Sequence, residues 1–324
     1  MQDLTCPHSY SFGTSSKPTS AYHSNGGERW AIILAGGDGS RLLPLTRKIA
    51  GDDRPKQFCP IIRGNTLLDE TRHRVALAVP PERTMFAVTQ KHEHFYNDAL
   101  IGVPRENLVV QPKNAGTAPA ILYSLLRLEK LDPAAIVAFF PSDHYFSDDR
   151  AFIAQVEFAF AASNRDLGRI VLLGIEPEGP DDEYGWIEPE RGSPLNRTAD
   201  PSPVRRFWEK PSKALARDLI ARGCVWNSFV MVGAVSTFLR MISRAKGELF
   251  ARFCTVRSEL LVSEEKEAIE NIYADLCESN FSREVLQARP TDLTVTRVRG
   301  AKWSDLGSPH RVYATLADLH PAFL

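Results

Sequence analysis

From residue 30 onward, short apolar runs alternate with longer segments in which apolar residues recur at helical spacing. WAIILA (30–35) is hydrophobic throughout and closed on its far side by glycines, the pattern of a strand buried on both faces. Similar runs occupy 84–88, 108–110, 135–140 and 169–174. Between them the spacing predicts helices over 66–79, 93–100, 117–131 and 149–164. Strands alternating with helices of this length predict βαβ crossovers, and so an α/β fold with a Rossmann-like, mostly parallel sheet flanked by helices. Ligands bind beyond the carboxyl ends of strands in such sheets, so every unusual loop there is a candidate for chemistry.

Past residue 175 the alternation weakens. Pro and Gly crowd EPEGPDDEYGWIEPERGSPLNRTADPSP, which predicts turns and a β-rich excursion off the sheet edge. Strands follow at 204–208 and 225–232, with helices at 213–222, 235–244, 248–261 and near 264–277. A late strand at 293–298 precedes a final helix from about Pro309.

Composition narrows the function. With 39 basic and 40 acidic residues the formal net charge is −1, so neither a nucleic-acid footprint nor a polybasic membrane patch is expected. An anionic ligand must be met by a few placed cations. The five cysteines (Cys6, Cys59, Cys224, Cys254 and Cys277) are an odd number without a CxxC pair. They read as reduced thiols of a cytoplasmic protein rather than a disulfide framework or zinc site. No apolar run approaches the roughly 20 residues that span a bilayer. Residues 1–28 are polar, lack the apolar stretch of a signal peptide, and are expected to form a disordered tail.

The strongest chemical signal is LAGGDGSRLLPLTR followed by RPKQF, residues 34–58. Gly36, Gly37 and Gly39, directly after a strand, let the backbone approach a ligand and aim N–H groups at it. Arg41 supplies a guanidinium suited to phosphate, and Lys56 a compact second cation. The spacing is not GxxxxGK[ST], and Leu42 stands where a dinucleotide fingerprint needs its third glycine. A polyphosphate site outside both of those classes is expected. QPKNAGTAPA (111–120) follows a strand and opens a helix, with Thr117 as its expected N-cap. In FFPSDH, Asp143 sits just past a buried strand, well placed for a hard cation. His144 reads as structural, His92 and His94 as a solvated face, SEEKE (263–267) as an exposed helix start, and Phe152, Phe158 and Phe160 as core.

GGxGxRLxPLT with a downstream PK resembles the signature of the sugar-phosphate nucleotidyltransferases, and PKQF resembles their mannose-1-phosphate guanylyltransferase branch. QPKNAGTAPAI, FFPSDHYF, YGWIEP, FWEKPS, VWNSF and WSDLG continue the resemblance, in order, over almost all of residues 30–318. The resemblance implies transfer of a nucleotidyl group from an NTP, by default GTP, to a sugar 1-phosphate, by default mannose 1-phosphate. It implies a nucleotide-binding part (about 29–175) and a sugar-binding part (about 176–324) within one domain. Leu34, Ala35, Gly36, Gly37, Gly39, Arg41, Lys56, Asn114, Thr117 and Ala118 would bind nucleotide. Tyr184, Gly185, Glu188, Glu209, Lys210 and Asn227 would bind sugar. Asp143 and Asp305 would hold Mg²⁺, and Arg41, Lys56, Asp143 and Lys210 would carry catalysis. Partners would be these small molecules, with no nucleic acid or membrane, and a homodimer is common among such proteins.

Glu209 and Lys210 are neighbours on a strand and would face opposite sides, so both roles require a bend before Pro211. Three departures stand out: a long RKIAGDDR linker, SNFSREVL (279–286) in place of a SIDY-type segment, and Phe229 where the family has glycine. They bear on which sugar is used more than on the chemistry. A catalytically silent sugar-nucleotide-binding paralogue is the alternative, and a nicotinamide-dependent oxidoreductase ranks last.

Overall fold

The computed structural model describes residues 27–190 and 200–319. Of the expected tail, residues 1–26 lie outside the described residues, as do 191–199 of the Pro- and Gly-rich stretch. The strands are β1 (Arg29–Leu34), β2 (Thr84–Thr89), β3 (Leu108–Gln111), β4 (Ile136–Pro141), β5 (Tyr145–Phe146), β6 (Ile170–Ile175), β7 (Gly185–Pro189), β8 (Ser202–Glu209), β9 (Val225–Ala234), β10 (Leu293–Arg297) and β11 (Trp303–Ser304). The helices are α1 (Leu43–Ala50), α2 (Leu67–Val75), α3 (Glu93–Ala99), α4 (Thr117–Leu131), α5 (Asp149–Arg165), α6 (Lys213–Ala221), α7 (Val235–Ala245), α8 (Gly247–Cys254), α9 (Glu265–Ala274) and α10 (Pro309–Leu319).

Nine strands form one sheet in the order β3-β2-β1-β4-β9-β6-β10-β8-β7, with β7 also meeting β9. β8 and β9 run against the other seven, so the sheet is mixed but mostly parallel, as its apolar runs predict. Continuous apolarity has a direct cause. Along β4, Val137 and Phe139 enter the core beneath α4 and α7, while Ile136, Ala138 and Phe140 enter the one beneath α2 and α5. A polar residue at any of these positions would lie in one core or the other. Full burial of each of the larger side chains contributes about 1.5–3 kcal/mol.

Several elements differ from expectation. α1 was not foreseen: the first half of the long linker completes a helix closed by Gly51 in the left-handed conformation, and the rest is a turn in which Arg54 pairs with Asp52 at 2.7 Å. α8 stops at Cys254 instead of running to 261, because the carbonyls of Ser258 and Leu260 accept from Lys130 of α4 and fold the chain back. Thr117 is not the N-cap of α4. That position is Gly116, and the Thr117 hydroxyl accepts the Phe281 N–H at 2.8 Å instead.

The topology matters most at one place. β5 and β11 pair as a separate two-stranded ribbon, Trp303 opposite Phe146 and Ser304 opposite Tyr145. Asp143 precedes β5 and Asp305 follows β11, so this short ladder joins residues far apart in the chain.

Candidate active site

A cleft of about 420 Å³ opens beyond the carboxyl ends of β1 and β4. Leu34, Gly36 and Gly37 line it, with Gln111, Asn114 and Thr117 on one side, Asp143 and Asp305 centrally, and Glu209, Asn227 and Phe229 on the other. A larger groove of about 670 Å³ follows the outer edge of β3 between α3 and α9, but it gathers neither the glycine loop nor these carboxylates.

The glycine loop is held by its carbonyls. Gln57, buried in the PKQF turn, donates from Nε2 to the carbonyls of Ala35 (3.0 Å) and Gly37 (2.7 Å). The Thr89 hydroxyl donates to the Gly36 carbonyl at 2.8 Å. The N–H groups of residues 36–39 donate to no acceptor among the described residues, which leaves them for a ligand. Gly39 turns the loop at φ +60°, where a Cβ would also stand 3.0 Å from the Lys56 nitrogen. Gln57 is the residue that sequence reasoning missed inside a motif it recognised.

Below the loop, cations and carboxylates interlock. The Lys56 ammonium lies 3.3 Å from Asp143 Oδ2 and donates to the carbonyls of Asp305 (2.6 Å) and Leu306 (3.3 Å). Asp305 accepts from the Tyr184 hydroxyl (3.1 Å), the Gly307 N–H (3.0 Å) and, at both oxygens, Arg311 Nη1 (3.2 Å). Burial works to raise the Asp305 carboxyl, but the basic groups of His144, Arg311 and Lys56 outweigh it and hold it below its ordinary value. Arg311 Nη2 reaches Asp181 (2.6 Å) and Glu183 (3.0 Å), and Glu183 also accepts from Arg41 at 3.1 Å. Arg311 and Glu183 carried no signal in the sequence, since no motif contains them. His144 stays behind Asp143: burial lowers it to about 4, so it is neutral at physiological pH, and Nδ1 accepts from Trp303 at 3.2 Å.

Asp143 and Asp305 offer oxygen donors alone, and no cluster of three or more His, Cys, Asp or Glu occurs among the described residues. That donor set fits Mg²⁺, which takes one or two carboxylates and completes its shell with water and phosphate oxygens. Arg311 competes for the same carboxylate. Arg311→Met should therefore tighten Mn²⁺ binding to the nucleotide-free protein by about tenfold, ~1.4 kcal/mol. Electron paramagnetic resonance titration reads this directly, and unchanged affinity would remove Arg311 as a competitor.

At the helix end of the cleft, Asn114 Nδ2 donates to Asp38 of the glycine loop (2.9 Å), and its Oδ1 accepts the Gly116 N–H (3.0 Å). SNFSREVL closes this end: Ser279 exchanges backbone bonds with Ala115 and Ala118, and a π-helical turn follows over Ser282–Leu286. Two residues expected to contact nucleotide do not line the cleft. Ala118 is fully buried with its N–H on the Ser279 carbonyl, and Ala35 is buried with its N–H on the Ala87 carbonyl. His92 is likewise buried rather than on a solvated face, its Nε2 3.4 Å from Asp38. Glu265 of the SEEKE run accepts from Tyr123 (2.8 Å) and Arg127 (2.9 Å) instead of meeting water.

At the sheet end, the bend before Pro211 is present: Lys210 takes φ +49° and its N–H reaches the Tyr184 carbonyl at 3.2 Å. Gly185 lies opposite Glu209, and a Cβ there would come within 2.9 Å of the Phe207 ring and 3.1 Å of Glu209 Oε2. Burial raises the Glu209 carboxyl above its ordinary value, against the pull of Lys210 and Arg283. Glu188 does not rim the cleft. It lies three residues along β7 from Gly185, hence on the opposite face, where its carboxylate meets Arg205 (3.1 Å) and Trp208 Nε1 (3.2 Å). Gly39, Arg41, Lys56 and Lys210 adjoin the cleft through their partners rather than lining it.

A mixed α/β sheet carrying a free-amide glycine loop, a lysine and two carboxylates from distant segments is an arrangement able to receive phosphate groups. The chain belongs to the nucleotidyl transferase family, whose model matches residues 30–320. It is 33% identical over 216 residues to the xanthan biosynthesis protein XanB of Xanthomonas campestris pv. campestris (strain B100), covering 66% of this chain and 44% of that one. It is 27% identical over 282 residues to a mannose-1-phosphate guanylyltransferase of Klebsiella pneumoniae, covering 86% and 58%. The chain thus spans about half the length of the curated relatives it matches. Among solved structures, a mannose-1-phosphate geranyltransferase from Thermus thermophilus superimposes with a TM-score of 0.73 at 32% identity, over 86% of this chain and 76% of that one. No helix among the described residues is long and apolar enough to cross a membrane.

Proposed function

We propose that the protein transfers a nucleotidyl group from GTP to mannose 1-phosphate, releasing pyrophosphate. The observation that carries this reading is the meeting of Lys56 with Asp143 and Asp305 beneath the free amides of the glycine loop. A sugar-phosphate oxygen forms the new bond to the α-phosphorus, the α–β bond breaks, and its electron pair leaves on pyrophosphate. The loop N–H groups receive the polyphosphate. Arg41, exposed and paired with Glu183, exchanges that partner for the departing phosphates. Lys56 neutralises charge building on the α-phosphoryl oxygens, and Glu209 and Lys210 orient the sugar phosphate. Mg²⁺ held by Asp143 and Asp305 would supply Lewis-acid charge to the phosphoryl oxygens. We assign residues up to about 175 to nucleotide binding and those beyond to sugar binding, although β9 and β10 complete the same sheet. The four free cysteines among the described residues suit a cytoplasmic setting.

Pyrophosphate release is the test, with GTP, ATP, UTP and dTTP each set against mannose, glucose and heptose 1-phosphates. Release specific to GTP and mannose 1-phosphate is expected. Release with another pair would keep the reaction and change the substrates. Tight sugar-nucleotide binding with no release from any pair would replace catalysis by a silent binding role.

A further inference from the structure

Phe229 stands at φ +62°, in the left-handed region that a bulky side chain rarely enters. It lies in an irregularity of β9: between the pairs Leu172–Met231 and Gly174–Asn227, β6 advances by two residues and β9 by four. Bulges of this kind re-aim a side chain and recur beside binding sites. WNSF builds the bulge from its own side chains. Asn227 Oδ1 accepts the Phe229 N–H at 3.1 Å. The Ser228 hydroxyl donates to the Leu173 carbonyl at 2.6 Å and accepts the Val230 N–H at 3.2 Å. Backbone groups withdrawn from the ladder stay satisfied, so the surroundings hold the strain in place.

A glycine would make this turn without strain. What phenylalanine adds is a ring, half-buried in the wall of the cleft and braced edge-on by Phe281 at 6.4 Å between centroids. The neighbouring wall is polar: Glu209, Asn227, Asn280 and Ser282.

We propose that Phe229 is a specificity-determining residue whose ring forms the apolar wall of the sugar end, packing on the C–H face of the bound pyranose. The inference rests on the nucleotidyltransferase reading and names which part of the sugar this site selects. Polar neighbours take the ring hydroxyls, while the phenyl face accepts carbon-bound hydrogens. An epimer that turns a hydroxyl toward Phe229 is rejected, because that group loses water without gaining a partner.

The test uses the full chain and the variants Phe229→Tyr, Phe229→Ala and Phe229→Gly. Calorimetry with GDP and with GDP-mannose separates the sugar from the nucleotide. GDP-mannose affinity should fall about tenfold in the Ala and Gly variants and stay within about twofold in the Tyr variant, with GDP binding within about twofold throughout. On heating, the Gly variant should melt above the Ala variant, since glycine adopts this φ freely while alanine keeps the strain and loses the ring. Equal effects on GDP and GDP-mannose, or none on either, would overturn the wall and leave the proposed reaction standing. An Ala variant melting above the Gly variant would overturn the strain argument. A parent chain binding neither GDP nor GDP-mannose would overturn the guanylyltransferase reading itself, and the wall with it.

Discussion

Asp143→Asn is expected to lower turnover by about 10²–10³-fold while leaving the protein folded. The two effects separate because the side chain has different partners in each. Structurally, its nearest partner is Lys56 at 3.3 Å, with His144 Nε2 at 3.8 Å, and Lys56 keeps its bonds to the carbonyls of Asp305 and Leu306 when that carboxylate is neutralised. A partly exposed ion pair contributes at most about 1 kcal/mol, so melting should shift by only a few degrees. Chemically, one of the two carboxylates that fit a divalent cation loses its charge, and Asp305 is already shared with Arg311. Steady-state kinetics at saturating Mg²⁺ should show the loss in kcat, with Mn²⁺ affinity reduced in parallel. Turnover within about threefold of the parent, far less than loss of a transition-state contact costs, would remove Asp143 from the mechanism.

Glu265→Ala should destabilise the fold by about 3 kcal/mol. Its carboxylate accepts from Arg127 (2.9 Å), Tyr123 (2.8 Å) and the Leu261 N–H (3.1 Å). Arg127 is only 6% exposed, so truncation strands a buried guanidinium with the carbonyls of Arg105 and Glu106, its Nε already without a partner. Removing one member of a buried pair costs more than the pair contributes, because the remaining charge keeps its desolvation penalty. Urea unfolding reads the change as a lower midpoint at constant slope. A loss below about 1 kcal/mol would mean that water reaches Arg127 and the pair behaves as a surface one. The effect should reach the cleft, because Tyr273 on α9 donates to Gln111 in its wall at 3.2 Å.

Much of the site was legible because the chemistry sits in contiguous motifs. The glycine loop, Lys56, Asp143 and Asp305 were each named from short segments, and the structure brings them together. The bend at Lys210 could be required in advance, since adjacent strand residues face apart and both were assigned to one ligand. Three of the expected residues that do not line the cleft share one feature. Ala35, Ala118 and Glu188 stand within the right motifs, but on the side of the backbone that faces the core or the far surface. A motif fixes which residues are near a ligand; a period of two along a strand, or of 3.6 along a helix, decides which of them point at it.

By itself the sequence determined where most strands and helices lie, because a strand buried on both faces must be apolar at every position and a covered helix at every turn. It also marked which loops are candidates for chemistry, because glycines, cations and carboxylates follow those apolar runs directly. Only the tertiary structure decided that β9 enters between β4 and β6, that β5 and β11 bring Asp143 and Asp305 together, and that Arg311 links Asp305 to Glu183 and Arg41. Most of these pairings join segments that are far apart in the chain. They depend on the relative placement of whole elements, and no local periodicity along the chain records that placement.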